Sequence, residues 1–268
     1  MPLKMIDKIY NEDCLEGMKR IPDGSVDAII CDLPYGVLHL NNPHAQWDRI
    51  IPFDPLWEQY RRIAKDNAPI LLFGQGMFTA RLMTSQPELW RYNLVWDKCR
   101  VTGFLNANRM PMRCHEDIAV FYKKLPVYHP QYEDDEPNHR KGMGLHKNDN
   151  RCYGKCHNND YQGRTYDGVP RVVSTVPEGK KLPRSIIAIK KEHESKVLHP
   201  TQKPVELLRY LILTYTDPGD VVLDNCIGSG TTAIAAMREG RHFIGFELNK
   251  EYYDVAAKRI KGEQNSQQ

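Results

Sequence analysis

The 268-residue sequence holds no apolar run long enough to cross a bilayer, which excludes a helical membrane span. No repeat period is present, so a solenoid or propeller is excluded as well. The first residues, Met1 to Asp7, lack the basic, apolar and small-residue segments of a secretory signal, and the expected compartment is the cytoplasm. Cysteines are few and odd in number, seven, as in chains kept in a reducing environment rather than stapled by disulfides. Neither charge dominates: 37 Lys+Arg against 34 Asp+Glu leave +3. What is there is an ordinary globular composition, 41% hydrophobic, too apolar for a disordered chain. A chain of this length buries roughly three quarters of its unfolded surface and needs no staples.

Strand and helix patterns alternate at both ends. The patterns predict strands at Lys8 to Tyr10, Val26 to Cys31, Ile70 to Phe73, Tyr92 to Trp96 and Ile118 to Tyr122, and helices over Glu12 to Arg20, Asp54 to Lys65 and Met77 to Thr84. Near the C-terminal end come the amphipathic helix Pro204 to Tyr215, the strand Val221 to Leu223, the helix Thr231 to Arg238, the strand Phe243 to Phe246 and the helix Glu251 to Ile260. Alternation of this kind implies an α/β fold with a mostly parallel sheet covered on both faces.

Between Leu125 and Leu198 the apolar periodicity fades. That segment carries 13 basic and 10 acidic residues, the whole +3 surplus, and the remaining chain balances at 24 of each sign. Outside the acidic run Glu133 to Glu136, the stretch Pro137 to Lys191 holds 12 basic residues against four acidic, +8. Long segments without periodicity inside a compact chain are commonly functional. A solvated loop is the bland alternative.

Two loops carry chemistry. Asp224-Asn225-Cys226-Ile227-Gly228-Ser229-Gly230-Thr231-Thr232 joins a strand to a helix. Its glycines permit a tight turn, and the helix start offers unpaired N–H groups to a polar ligand. The following strand ends in Glu247, placed to accept hydrogen bonds from two ribose hydroxyls. This order suits an adenosine-containing cofactor. A phosphate loop of the Walker type is excluded because no Lys follows the second glycine, and nicotinamide cofactors stay open. The second loop, Asp32-Leu33-Pro34-Tyr35, ends a buried strand with a carboxylate, a rigid turn and an aromatic ring. Such a set can hold a planar base by its exocyclic amine while the ring stacks on the base.

With these motifs in this order, the chain resembles the amino-group DNA methyltransferases that use S-adenosylmethionine, in their circularly permuted beta group. Asp32 to Tyr35 is similar to the catalytic [Asp/Asn/Ser]-Pro-Pro-[Tyr/Phe/Trp] motif, and Asp224 to Thr232 to the Asp-Pro-Phe-x-Gly-Ser-Gly-Thr-Thr cofactor loop. His199-Pro200-Thr201-Gln202-Lys203-Pro204 resembles the His-Pro-x-x-Lys-Pro signature at the methionine part of the cofactor, and Asn11 to Cys14 the Gly-Asp-Cys segment near its adenine. Leu33 replaces a proline whose carbonyl is the working group, and Asn225 and Cys226 replace Pro and Phe in the pocket wall.

The resemblance implies a Rossmann-like sheet in which 1–124 form the catalytic half, 125–198 an inserted target-recognition region, 199–262 the cofactor half and 263–268 a tail. It implies catalytic roles for Asp32, Leu33, Pro34 and Tyr35, and cofactor contacts from Asp13, Cys14, Asp32, Thr201, Gln202, Lys203, Asp224, Cys226, Gly228, Ser229, Gly230, Thr231, Thr232 and Glu247. Double-stranded DNA is the expected partner, its phosphates met by Arg140, Lys141, Lys147, Arg151, Lys155, Arg164 and Arg171, with Lys180 and Lys181 beside them. Asp at the first motif position favours adenine N6 over cytosine N4, and the rival of another class is a silent DNA-binding protein that keeps the cofactor pocket. A homodimer and a cognate restriction endonuclease are further implications. No metal is expected: Cys152, Cys156 and His157 lack an obvious fourth ligand. His115-Glu116 is expected near the substrate pocket without being the base, and Trp47 and Trp96 read as core or pocket walls.

Overall fold

The computed structural model describes residues 5–37, 47–134, 177, 180–191 and 202–266. Contacts divide the chain into two compact units, Met1–His129 with Arg184–Gln268, and Pro130–Pro183.

The first unit is built on strands β1 (Lys8–Tyr10), β2 (Ala28–Cys31), β3 (Ile70–Gly74), β4 (Trp90–Thr102) and β5 (Arg113–Phe121). The second unit supplies β6 (Glu133–Asp134) and β7 (Lys180–Lys181), and the first unit resumes with β8 (Ile186–Ala188), β9 (Val221–Asp224) and β10 (His242–Phe246). The eight strands of the first unit lie in the order β1-β10-β9-β2-β3-β5-β4-β8. Parallel pairing joins β1, β10, β9, β2 and β3, and β5 is antiparallel to both β3 and β4. Two successive reversals return β4 to the direction of β3, and β8 follows β4 in parallel.

The central strands β2 and β3 are buried along their whole length, which is why they read as continuous apolar runs rather than alternating ones. Their side chains nevertheless alternate between two cores. Ile29, Cys31 and Leu72 pack with Met18 of helix α1 (Cys14–Met18), with Leu56, Trp57, Tyr60 and Ile63 of α2 (Phe53–Ile63), and with Phe78 and Leu82 of α3 (Met77–Ser85). Ile30, Leu71 and Phe73 pack on the opposite face with α4 (Val205–Tyr215), α5 (Thr231–Arg238) and Ile260 of α6 (Lys250–Ser266). The order reverses direction between β9 and β2: β9 leads through α5 to β10 on one side, and β2 through α2 to β3 on the other. Such a switch point opens a crevice beyond the carboxyl ends of the strands, where α/β proteins place ligands.

Several boundaries differ from the sequence reading. α1 begins only at Cys14, because the Asp13 side chain accepts from the backbone N–H groups of Leu15 and Glu16 and caps it. β4 runs 13 residues, since β5 supplies hydrogen bonds well past the apolar stretch Leu94 to Trp96. β8 belongs to the main sheet, although it falls inside the 125–198 segment; three residues between basic flanks give no periodicity to read.

In the second unit, β6 and β7 pair antiparallel. Lys180 meets Asp134 at 2.5 Å and Lys181 meets Glu133 at 3.5 Å. These two lysines, read from sequence as phosphate ligands, are thus engaged by the acidic run.

Candidate active site

A cavity of about 490 Å³ opens at the switch point, walled by the carboxyl ends of β2, β3, β9 and β10. It brings together Asp13, Cys14, Asp32, Leu33, Pro34, Tyr35, Gln202, Lys203, Asp224, Cys226, Gly228, Ser229, Thr231, Thr232 and Glu247. Gly230 does not line it. With φ +84 and Ala256 only 3.2 Å from any added Cβ, this glycine serves the turn and the packing of α6. Thr201, the seven Arg/Lys residues from Arg140 to Arg171, and Cys152, Cys156 and His157 lie outside the described residues.

The Asp224–Thr232 loop is organised from within. Asp224 accepts from the Cys226 N–H at 3.1 Å and from the Thr232 hydroxyl at 2.5 Å. Burial pushes its carboxyl up to about 6, against the pull of those hydrogen bonds. Glu247 receives the Gly228 N–H at 3.0 Å and the Asn249 N–H at 2.8 Å, one on each oxygen, which leaves further acceptor capacity on both. The Ser229 hydroxyl donates to Gln202 at 3.0 Å, and Arg259 of α6 donates to the Ser229 carbonyl at 2.6 Å. Asn225, which stands where the resembled motif has proline, faces inward: its Oδ1 accepts from the buried Tyr60 hydroxyl at 2.5 Å, and its amide donates to the sulfurs of Cys14 and Cys226. Cys14, Cys31 and Cys226 carry no disulfide. Burial pushes the Cys31 thiol up to about 12, so it stays protonated and inert as a nucleophile.

The Asp32–Tyr35 loop faces the same cavity. Tyr35 stacks on Phe78 with ring centroids 4.7 Å apart, and its hydroxyl donates to Asp32 Oδ1 at 2.9 Å. Lys203 Nζ donates to Asp32 Oδ2 at 2.5 Å and stands 5.0 Å over the Phe73 ring. The loop beyond Tyr35 is pinned by Asp48, which is buried and accepts from the N–H groups of Gly36 at 3.0 Å and Val37 at 2.7 Å.

Glu116 completes the arrangement. Its Oε1 pairs with Lys98 at 3.2 Å, and its Oε2 lies 3.2 Å from Lys203, in ion-pair range but without hydrogen-bond geometry. Lys98, Glu116, Lys203 and Asp32 form a neutral chain of alternating charge running from β4 to the cavity. Burial alone would lower the Lys203 ammonium, but the carboxylates of Asp32 and Glu116 overcome it and raise its pKa. Burial would raise Glu116, and the two lysines hold it below the ordinary carboxylate range instead. Asp32 is pushed upward by burial, with Lys203 opposing and Glu116 adding to the rise. Its side chain keeps 20% of its surface open on the cavity.

The resemblance implied a cofactor contact for Lys203; the structure sets its ammonium on the Asp32 carboxylate. Lys98, Asp48 and Gln75 were not singled out by the sequence reading. Their partners lie between 11 and 40 positions away, and no spacing announces them. Glu116, Trp47 and Trp96 do line the cavity, as walls.

The fold is similar to those of known proteins. The structure of the M1.HpyAVI–SAM complex superposes with a TM-score of 0.59 at 24% identity, covering 94% of this chain and 98% of that one. The PvuII DNA methyltransferase (cytosine-N4-specific) superposes with a TM-score of 0.62 at 16% identity, covering 96% of this chain and 91% of that one. In sequence, the Type II methyltransferase M.BglII of Bacillus subtilis is 28% identical over 98% of this chain and 71% of its own length. A family model described as DNA methylase, for amino-methyltransferases of the N6 and N4 type, matches residues 26–258, and the chain belongs to this S-adenosylmethionine-dependent family.

Proposed function

We propose that the chain methylates the exocyclic N6 amine of adenine within a specific sequence of duplex DNA. The observation that carries this reading is the convergence of Asp32, the Asp224–Thr232 loop and Glu247 on one cavity, with Asp32 fixed on one side by the Tyr35 hydroxyl and on the other by Lys203. Asp at the first motif position supports adenine over cytosine.

The residues fit the cofactor. Glu247 retains acceptor capacity for ribose hydroxyls, and the small residues from Gly228 to Gly230 keep the strand-to-helix turn close to the cavity. S-adenosylmethionine supplies an electrophilic methyl on a sulfonium. The chain's own task is to make a poor nucleophile reactive and to aim it. An adenine amine has its lone pair delocalised into the ring. Hydrogen bonds from its two hydrogens to Asp32 and to the Leu33 carbonyl pyramidalise the nitrogen and localise that pair for in-line attack. Asp32 is also the group placed to receive the proton that the methylated amine sheds. Orientation and exclusion of water supply the remainder of the acceleration, and no covalent enzyme intermediate is required.

A base stacked within a duplex cannot enter this cavity, so the target is flipped out, at a cost of a few kcal/mol. Stacking on Tyr35, braced from behind by Phe78, returns ~1–3 kcal/mol of that.

The test is incubation with labelled S-adenosylmethionine and mixed-sequence duplex DNA, followed by digestion to nucleosides. Label in N6-methyldeoxyadenosine is the expected result. Label in N4-methyldeoxycytidine reassigns the base, and DNA binding without any label makes the chain a silent binder.

A further inference from the structure

We infer that the tip of the β4–β5 hairpin is a duplex-contacting wedge, its apolar side chains meeting the base stack beside the extruded nucleotide and its arginines meeting the flanking phosphates. The inference goes beyond the reading above and rests on DNA being the substrate.

The register fixes where the hairpin stands. Cys31 is level with Leu72, and Leu72 with Ala119, which sets the next residue, Asp32, level with Phe73 and Ile118. Along β5 the last ladder pair with β4, Thr102 with Arg113, lies five positions farther out. At ~3.3 Å per residue that is about 16 Å beyond the catalytic carboxylate, at the same end of the sheet. Gln75, a cavity wall residue, ties the hairpin base to the site: it donates to the His115 carbonyl at 3.1 Å and accepts from Arg113 at 3.0 Å.

The tip has the chemistry of a nucleic-acid contact rather than of a surface loop. Phe104 and Leu105, on a single 3-10 turn, are 80% and 96% exposed, and Met110 and Met112 are exposed beside them. Large apolar side chains clustered in water at a loop tip mark a surface that another molecule covers. From Lys98 to Cys114 there is no acidic residue, while Arg100, Arg109 and Arg113 carry positive charge. An apolar tip that carries Arg109, with Arg100 and Arg113 on the strands below it, complements a polyanion whose base faces become accessible when one nucleotide leaves the stack; proteins that kink DNA insert Phe, Leu and Met at such steps.

The double variant Phe104→Ala/Leu105→Ala and the single variant Arg109→Ala test the assignment on unmethylated phage genomic DNA with labelled S-adenosylmethionine, with duplex affinity read in parallel by anisotropy. Loss of the wedge is expected to lower kcat by about tenfold or more, the scale of one lost stacking contact. Arg109→Ala is expected to weaken duplex affinity and make its salt dependence shallower by about one ion. Cofactor binding and thermal midpoint stay at wild-type values in both. Wild-type kcat and affinity in the double variant overturn the proposal. So does a wild-type dimer that becomes monomeric in the variant, since a second copy would then cover the tip. A wild-type chain that binds duplex without transferring methyl refutes the proposed activity instead, and a double variant that then retains full affinity still refutes the wedge.

Discussion

Asp32 works through the company it keeps. Its two oxygens are held by Tyr35 and Lys203, so the carboxylate is oriented before any ligand arrives. Asp32→Ala is expected to abolish transfer while leaving S-adenosylmethionine affinity within a few-fold, measured by calorimetry; an equal loss of cofactor binding would reassign the residue. The proton balance has a definite sign. Burial raises the Asp32 pKa above its ordinary 3.8, so its ionised, accepting form is lost on acidification at a higher pH than for a solvent-exposed carboxylate. Lys203 opposes that rise, and Lys203→Met is expected to shift the acid limb of the pH–rate profile toward neutrality. An unmoved limb would mean that Lys203 serves the cofactor alone. From sequence, the motif identified Asp32 and Tyr35 by their spacing of three. The Lys203 contact, across 171 positions, has no local signature, and neither has the Lys98–Glu116 pair behind it.

At the level of elements, the close approach of β10 to the cofactor loop depends on having no side chain at Gly245. A Cβ there would stand 2.3 Å from Ile227 Cδ1 and 3.0 Å from Ile9. Gly245→Ala is expected to cost about 1–3 kcal/mol through overpacking. Because Ile227 sits inside the loop, cofactor affinity should fall together with the thermal midpoint; a lowered midpoint with unchanged affinity would uncouple the two. The apolar runs of β2, β3, β9 and β10 were legible because burial on both faces removes any need for polar residues. β8 and the outer half of β4 were not, since their residues are chosen for an edge and a hairpin rather than for a core. The reach of α6, to Ser266 rather than Ile260, was hidden by a polar last turn whose Glu263 meets Arg238.

For the molecule as a whole, the net charge is local. The +3 surplus belongs to 125–198, and the remaining chain balances at 24 residues of each sign. DNA affinity is therefore expected to fall steeply between about 50 and 200 mM salt, while S-adenosylmethionine affinity changes little. A flat salt dependence would remove the basic segment from the interface. The site's dependence on distant parts of the chain also has a consequence in time. β2 pairs with β9 through Ala28 and Val222, roughly 190 residues apart. At the ~5–20 residues per second of synthesis, β2 is made on the order of 10–40 s before its neighbour exists. Throughout that interval one edge of this wholly buried strand is unpaired on the ribosome, so slower translation of the middle segment would lengthen the window for aggregation rather than assist folding.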